Sequence, residues 1–96
     1  MLTSKQRSAL RAMANDYEPI FQIGKAGITE MFVRQISDAL EARELIKVTV
    51  LNNLALDTRE ACNILAEATG AEPVSCVGRK FIIYRRSKEN QKIFLD

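Results

Sequence analysis

The segment Ile23-Gly24-Lys25-Ala26-Gly27-Ile28-Thr29 joins a short apolar run to an amphipathic one. Two glycines flank Lys25-Ala26, and Thr29 is a residue type that commonly caps a helix. The segment therefore predicts a turn between a strand over 19–23 and a helix that begins after Thr29. Two roles remain open for it: a plain turn, or a loop that lets a phosphate approach the backbone.

Helices are predicted on both sides of this joint. Thr3 with Gln6 matches the capping-box pattern and predicts a first helix that ends near residue 14. Apolar residues at helical spacing carry the second helix from Thr29 to about residue 42. Asp57 with Glu60 repeats the capping-box pattern and predicts a third helix, which Gly70 would end.

The remaining segments predict strands. Residues 45–51 are rich in β-branched types and alternate in their middle. Residues 74–77 and 81–84 would form a hairpin around Gly78-Arg79, and Asn52-Asn53 would form a turn or loop. The predicted order is α-β-α-β-α-β-β, which gives an α+β (mixed α/β) fold with one four-stranded mixed sheet.

Length and composition predict a single domain over 1–96. The 96 residues are 47% hydrophobic and 27% charged, as in ordinary globular proteins. No apolar run has the length of a membrane span, and the first residues lack the pattern of a secretory signal. We therefore expect a cytoplasmic protein without a membrane partner. Residues 87–96 are expected to be either a mobile tail or a short extended segment.

The titratable residues disfavour catalysis. The chain has no histidine, which removes the commonest general base and most zinc chemistry. Cys62 and Cys76 are isolated and are expected to be packed thiols, with a disulfide or a reactive thiol as the alternative. A hydrolase or nuclease would need clustered acids, whereas the carboxylates are scattered. We expect no catalytic residue, metal, cofactor or small-molecule substrate.

Positive charge is concentrated late in the chain. The net charge is +2, but residues 79–92 contain six cations and one acid, a local net charge of +5. This distribution indicates an anionic partner, or else a solvated tail. Arg7 and Arg11, four residues apart, would be neighbours on the first helix. Phe81 and Tyr84 lie among these cations and could stack on bases, although alternation along a strand favours packing in the core.

The glycine loop suits a phosphate of a nucleic acid. A helix N-terminus follows it at once, and free N–H groups there favour an anion. Lys25 adds a full positive charge. The patterns of a nucleoside triphosphate loop and of a dinucleotide fingerprint are both absent.

Three segments carry a family resemblance: GKAGIT (24–29), ELIKV (44–48) and VGRKFIIYR (77–85). In this order and spacing they resemble the CRM domain, whose stand-alone bacterial form is the YhbY family. The resemblance implies a fold similar to the C-terminal domain of translation initiation factor three. It also implies binding to RNA, in bacteria to ribosomal RNA in precursors of the large subunit.

The resemblance also suggests where RNA would bind. The family's glycine loop maps onto Gly24, Lys25, Ala26 and Gly27, next to Thr29. Carry-over to basic residues is looser, and the candidates are Arg7, Arg11, Arg85 and Arg86. The predicted function is therefore that of a monomeric, non-catalytic RNA-binding protein. The alternative is a protein–protein interaction module in which the glycine loop is only a turn.

Overall fold

The computed structural model of the chain describes residues 1–51 and 56–95. Within these ranges the helices and strands follow the predicted order: α1 (Ser4–Ala14), β1 (Phe21–Ile23), α2 (Glu30–Arg43), β2 (Leu45–Val50), α3 (Thr58–Thr69), β3 (Glu72–Val77) and β4 (Lys80–Tyr84). The α+β class with a four-stranded mixed sheet is confirmed. The predicted Asn52-Asn53 turn lies outside the described residues.

Each of the three helices begins at its predicted cap. In each case the cap side chain accepts a hydrogen bond from the backbone N–H three residues later, at 3.1 to 3.2 Å: Thr3 from Gln6, Thr29 from Phe32 and Asp57 from Glu60. The Thr3–Gln6 pair is a complete capping box, because the Gln6 side chain also accepts from the Thr3 N–H at 3.0 Å. These caps satisfy backbone donors that a helix cannot pair internally.

The strands lie in the order β1-β2-β4-β3. Strand β1 runs parallel to β2, and β4 runs antiparallel to both β2 and β3. The end of the sheet at which β1 and β2 finish is therefore the end at which β4 begins. We call it the loop end, because the 24–27 segment leaves β1 there.

Two apolar layers cover the sheet. The larger packs α2 and α3 against one side and includes Ile36, Leu65 and Phe81. The smaller packs α1 against the other side and includes Leu10 and Tyr84. Phe81 is fully buried and Tyr84 is 7% exposed, so the core prediction is confirmed for both rings.

Two carboxylates at the end of α2 bind the chain after β4. Glu44 is fully buried, at φ 68°. Its carboxylate accepts backbone N–H groups of Ser87 at 2.7 Å and of Lys92 and Ile93 at 2.6 Å each. Glu41 accepts the Ser87 hydroxyl at 2.6 Å. Residues 87–93 are thus held in a defined path without regular secondary structure.

The same contacts set the charge state of the two carboxyl groups. The Ser87 hydroxyl, followed by the N–H groups of Lys88 and Glu89, lowers the pKa of Glu41 to about 2. Burial raises the pKa of Glu44, but the three backbone N–H groups together outweigh it, and the net pKa is lowered. Both groups are therefore anionic anchors at neutral pH.

Candidate nucleic-acid interface

Residues 24–27 form a closed four-residue turn at the loop end. The Gly27 N–H donates to the Gly24 carbonyl at 2.9 Å. This bond leaves the N–H groups of Lys25 and Ala26, both exposed residues, outside the turn's own hydrogen bond. The turn therefore contains two backbone N–H groups that its own hydrogen bond does not use, beside an exposed lysine.

Gly24 and Gly27 differ in whether the backbone conformation requires a glycine. Gly27 has φ 72°, in the left-handed region that glycine enters without strain. A Cβ on Gly24 would instead lie at ordinary contact distance from the Leu51 side chain, 3.7 Å away. Only Gly27 is thus required by the backbone, and its surroundings are open: a Cβ there would meet no atom within 4 Å.

The N-terminus of α2 follows this turn directly. Thr29 uses its hydroxyl to cap the Phe32 N–H at 3.1 Å. The N–H groups of Glu30 and Met31 belong to the first turn, where no preceding helical carbonyl can accept them. Together with the helix dipole they favour an anion at this point. The carboxylate of Glu30, also in the first turn, opposes a phosphate there.

A groove lined by three cations lies on the α1 side of the sheet. Arg11, Lys47 and Lys80 border this cavity of about 250 Å³. Lys80 begins β4 at the loop end, and Arg11 is exposed in the last turn of α1. We call it the basic groove.

Arg7 lies further back along α1. It is half-buried, and its Nε donates to the Pro73 carbonyl at 3.3 Å. With Arg59 it borders a separate cavity of about 300 Å³ over β3. The structure therefore does not place Arg7 in the basic groove with Arg11.

Arg85 and Arg86 lie at the end of β4 away from the loop. Five residues of strand separate them from the loop end, about 17 Å at 3.3 Å per residue. Arg85 is engaged inside the protein: its guanidinium donates to the Ser37 hydroxyl at 3.0 Å, the Ser37 carbonyl at 2.7 Å and the Thr69 carbonyl at 2.8 Å. Arg86 is exposed and borders a shallow surface with Lys88.

Two basic residues in the groove were not singled out by sequence reasoning. Lys47 and Thr49 are polar residues at alternate positions of β2, and this alternation is the signal for an outward side chain. Lys80 was counted only as part of the 79–92 segment. Its neighbour Arg79 is structural, because its guanidinium donates to the carbonyls of Val50 and Leu51 and ties the hairpin to β2.

The described metal-ligating side chains and thiols are not grouped into a metal site or a disulfide. Within 1–51 and 56–95, no three His, Cys, Asp or Glu side chains are grouped to hold a metal ion. Cys62 and Cys76 are free thiols, and burial raises the pKa of Cys62 to about 11, which keeps it protonated. None of the described helices is long and apolar enough to cross a membrane.

Several RNA-binding proteins are similar to this chain over most of its length. The probable RNA-binding protein YqeI of Bacillus subtilis is 43% identical over 95 residues, covering 99% of both chains. An RNA-binding protein of Haemophilus influenzae is 32% identical over 88 residues, covering 92% of this chain and 89% of the relative.

A solved structure and a family model agree with these relatives. The solution structure of the Staphylococcus aureus protein SAV1595, described as a candidate RNA-binding protein, matches with a TM-score of 0.82 and 52% identity over the full length of both chains. The model of the CRS1/YhbY (CRM) domain matches residues 2–85. The chain belongs to the CRS1/YhbY (CRM) domain family.

Proposed function

We propose that this chain is a monomeric, non-catalytic protein of the cytoplasm that binds ribosomal RNA in precursors of the large subunit. Backbone N–H groups of the 24–27 turn, the first turn of α2 and the Lys25 ammonium hold phosphates of the RNA. The observation that carries this proposal is the open turn at Gly27, followed directly by a capped helix N-terminus. The RNA-binding relatives support RNA as the partner, and the resemblance to the YhbY family supports the ribosomal site.

The basic groove extends the proposed surface. Arg11, Lys47 and Lys80 would neutralise further phosphates on the α1 side of the loop end. Arg86 would contact the RNA only if the RNA extends to the far end of β4. Arg85 would support the fold. Such contacts position a protein on RNA but carry little base information. Specificity would then come from RNA shape, and binding would stabilise one RNA conformation during subunit maturation.

The direct test is a salt series with fragments of large-subunit ribosomal RNA. We expect the logarithm of the affinity to fall linearly with the logarithm of the salt concentration. Lys25→Gln should weaken binding and make the slope shallower by roughly 0.7 to 0.9, the effect of one lost phosphate contact. Circular dichroism of each variant confirms that it is folded.

A matched pair at Gly27 isolates charge from backbone strain. Asn and Asp both tolerate a positive φ and have nearly the same size, so Gly27→Asn and Gly27→Asp should be similarly stable. Gly27→Asp should bind RNA more weakly than Gly27→Asn if a phosphate sits at this turn. Equal affinity of the pair, together with an unchanged Lys25→Gln, would show that the loop is only a turn.

One observation favours the protein-interaction alternative. Met31 is 69% exposed and Ile64 is 46% exposed, although both are apolar. Ile64 borders a cavity of about 550 Å³ between α2 and α3. If this surface is the functional one, Ile64→Glu should abolish association with precursor particles, while Lys25→Gln should leave it unchanged at every salt concentration.

A further inference from the structure

A further concave site lies beside the first half of β2, away from the loop end. Strand β1 begins only at Phe21, and Pro19, two residues before it, has no N–H to donate to a ladder. The Ile20 N–H still donates to the Lys47 carbonyl at 3.0 Å. The β1–β2 register covers only the second half of β2, which leaves a cleft of about 410 Å³ beside Leu45.

The walls of this cleft combine apolar surface with positive charge. Tyr17 and Ile20 form one side and are 40% and 37% exposed. Three cations border the cleft: Arg43, Lys47 and Lys92. Glu18 is the one acid among its lining residues. An aromatic ring beside several cations suits a ligand with a flat apolar part and a negative part.

The backbone of β2 adds hydrogen-bonding groups to the cleft. The Arg85 N–H donates to the Glu44 carbonyl and the Val50 N–H to the Arg79 carbonyl, so even-numbered residues of β2 pair with β4. In an antiparallel pair the alternate residues point the other way. The N–H and carbonyl of Leu45 are therefore directed toward the cleft side, where they can meet the edge of a base.

We propose that this cleft receives one unpaired nucleotide of the bound RNA. The base lies against Tyr17 and Ile20, and its phosphate is held by Arg43 and Lys92. The volume falls in the range of small-ligand sites, about 300 to 1,000 Å³.

Lys47 connects this nucleotide cleft to the basic groove. It borders both cavities, and its Nζ donates to the Asn15 carbonyl at 3.3 Å, at the end of α1. An RNA strand that leaves the basic groove between Arg11 and Lys80 therefore passes Lys47 and then enters the cleft. The inference rests on the proposed RNA-binding function and adds to it a site for single-stranded RNA.

The test compares two RNA probes by fluorescence anisotropy. One is a fluorescein-labelled hairpin with unpaired loop nucleotides, and the other is a fully paired RNA duplex of the same length. Tyr17→Ala should weaken hairpin binding about five- to tenfold, the lower part of the range for losing one base–aromatic stack, without changing the salt slope. Duplex binding should be unchanged, and Arg43→Gln should lower the slope for the hairpin.

Two variants control for unspecific effects. Tyr17→Phe keeps the ring and should bind the hairpin as the parent does. Phe94→Ala removes another exposed aromatic ring, which is not among the residues that line the cleft, and should also have no effect. A titration with free uridine and adenosine 5′-monophosphates distinguishes a nucleotide within RNA from a free one.

The outcomes separate this inference from the proposed function. If Tyr17→Ala binds the hairpin as tightly as the parent while Lys25→Gln still weakens binding, the nucleotide cleft is wrong and the RNA-binding function stands. Free monophosphates that bind as tightly as the hairpin would overturn RNA as the occupant. If the parent binds neither RNA, both proposals fail.

Discussion

The backbone N–H of Ile93 donates to the carboxylate of Glu44, 49 residues earlier in the chain, at 2.6 Å. Glu44 is fully buried at the end of α2, where its backbone has left the helix with φ 68°. A buried carboxylate is tolerated here because three backbone N–H groups surround it. The chain after β4 is therefore part of the folded domain up to at least this residue.

Replacing this carboxylate by an amide should destabilise the whole protein. In Glu44→Gln the side-chain NH₂ would face a backbone N–H donor, so at least one buried donor loses its acceptor. We expect the free energy of unfolding to fall by about 2 to 4 kcal/mol. Urea denaturation measures this, with the exposed Glu89→Gln as control. Equal stability of the two variants would contradict the anchoring role of Glu44.

Acid should loosen the same region through Glu41. Its pKa is about 2 in the folded protein, against 4.5 for the free side chain, so the ionised form is bound more tightly by the fold. This contribution is complete above pH 4.5 and is lost as the pH falls toward 2. Glu41→Gln should therefore lose less stability than the parent over that interval. Urea denaturation from pH 7 to 2.5 tests this, and a Glu41→Gln protein with the parent's full pH dependence would contradict it.

The two adjacent arginines should respond differently to substitution. Arg85→Gln removes a charged group that donates to Ser37 and Thr69, and should lower the free energy of unfolding by about 1 to 3 kcal/mol. Arg86→Gln changes an exposed side chain and should stay within about 0.5 kcal/mol of the parent. Thermal denaturation of both variants decides this. An Arg85→Gln protein as stable as the parent, but weaker in RNA binding, would reverse the assignment.

Removing the acid beside the glycine loop should strengthen RNA binding. Glu30 lies in the first turn of α2, where its carboxylate repels a phosphate at the helix N-terminus. Glu30→Gln should raise the affinity for large-subunit ribosomal RNA fragments about two- to fivefold at low salt, less at high salt. Glu67→Gln, in the middle of α3, should leave it unchanged. Unaltered affinity in Glu30→Gln would place the RNA away from this helix end.

Local chemistry explains why so much of the fold could be predicted. Thr3, Thr29 and Asp57 act within three residues of their own position, so a sequence pattern identifies each helix start. The alternation of 81–84 likewise reports the two faces of one strand. Strand β1 begins two residues later than predicted, and Pro19, which has no N–H to pair, lies outside it.

The candidate site was harder to predict because it depends on distant contacts. The residues next to Arg85 in sequence do not indicate that its guanidinium donates hydrogen bonds to Ser37 and Thr69, which are distant in sequence. Lys47 and Lys80 come together only through the pairing of β2 with β4. The composition of residues 79–92 indicates positive charge, but the sequence does not separate the half-buried arginines that donate to carbonyl groups, Arg79 and Arg85, from the exposed cations.

The order of the strands in the sheet has a consequence for folding during synthesis. Because β2 lies between β1 and β4, a growing chain that ends at Gly70 contains only the parallel β1–β2 pair, with much of the sheet missing. Contacts between segments far apart in sequence slow folding, and a domain generally folds as one unit. We expect the domain to close only after Ile93 has left the translating ribosome, so that premature termination yields an unfolded, protease-sensitive fragment.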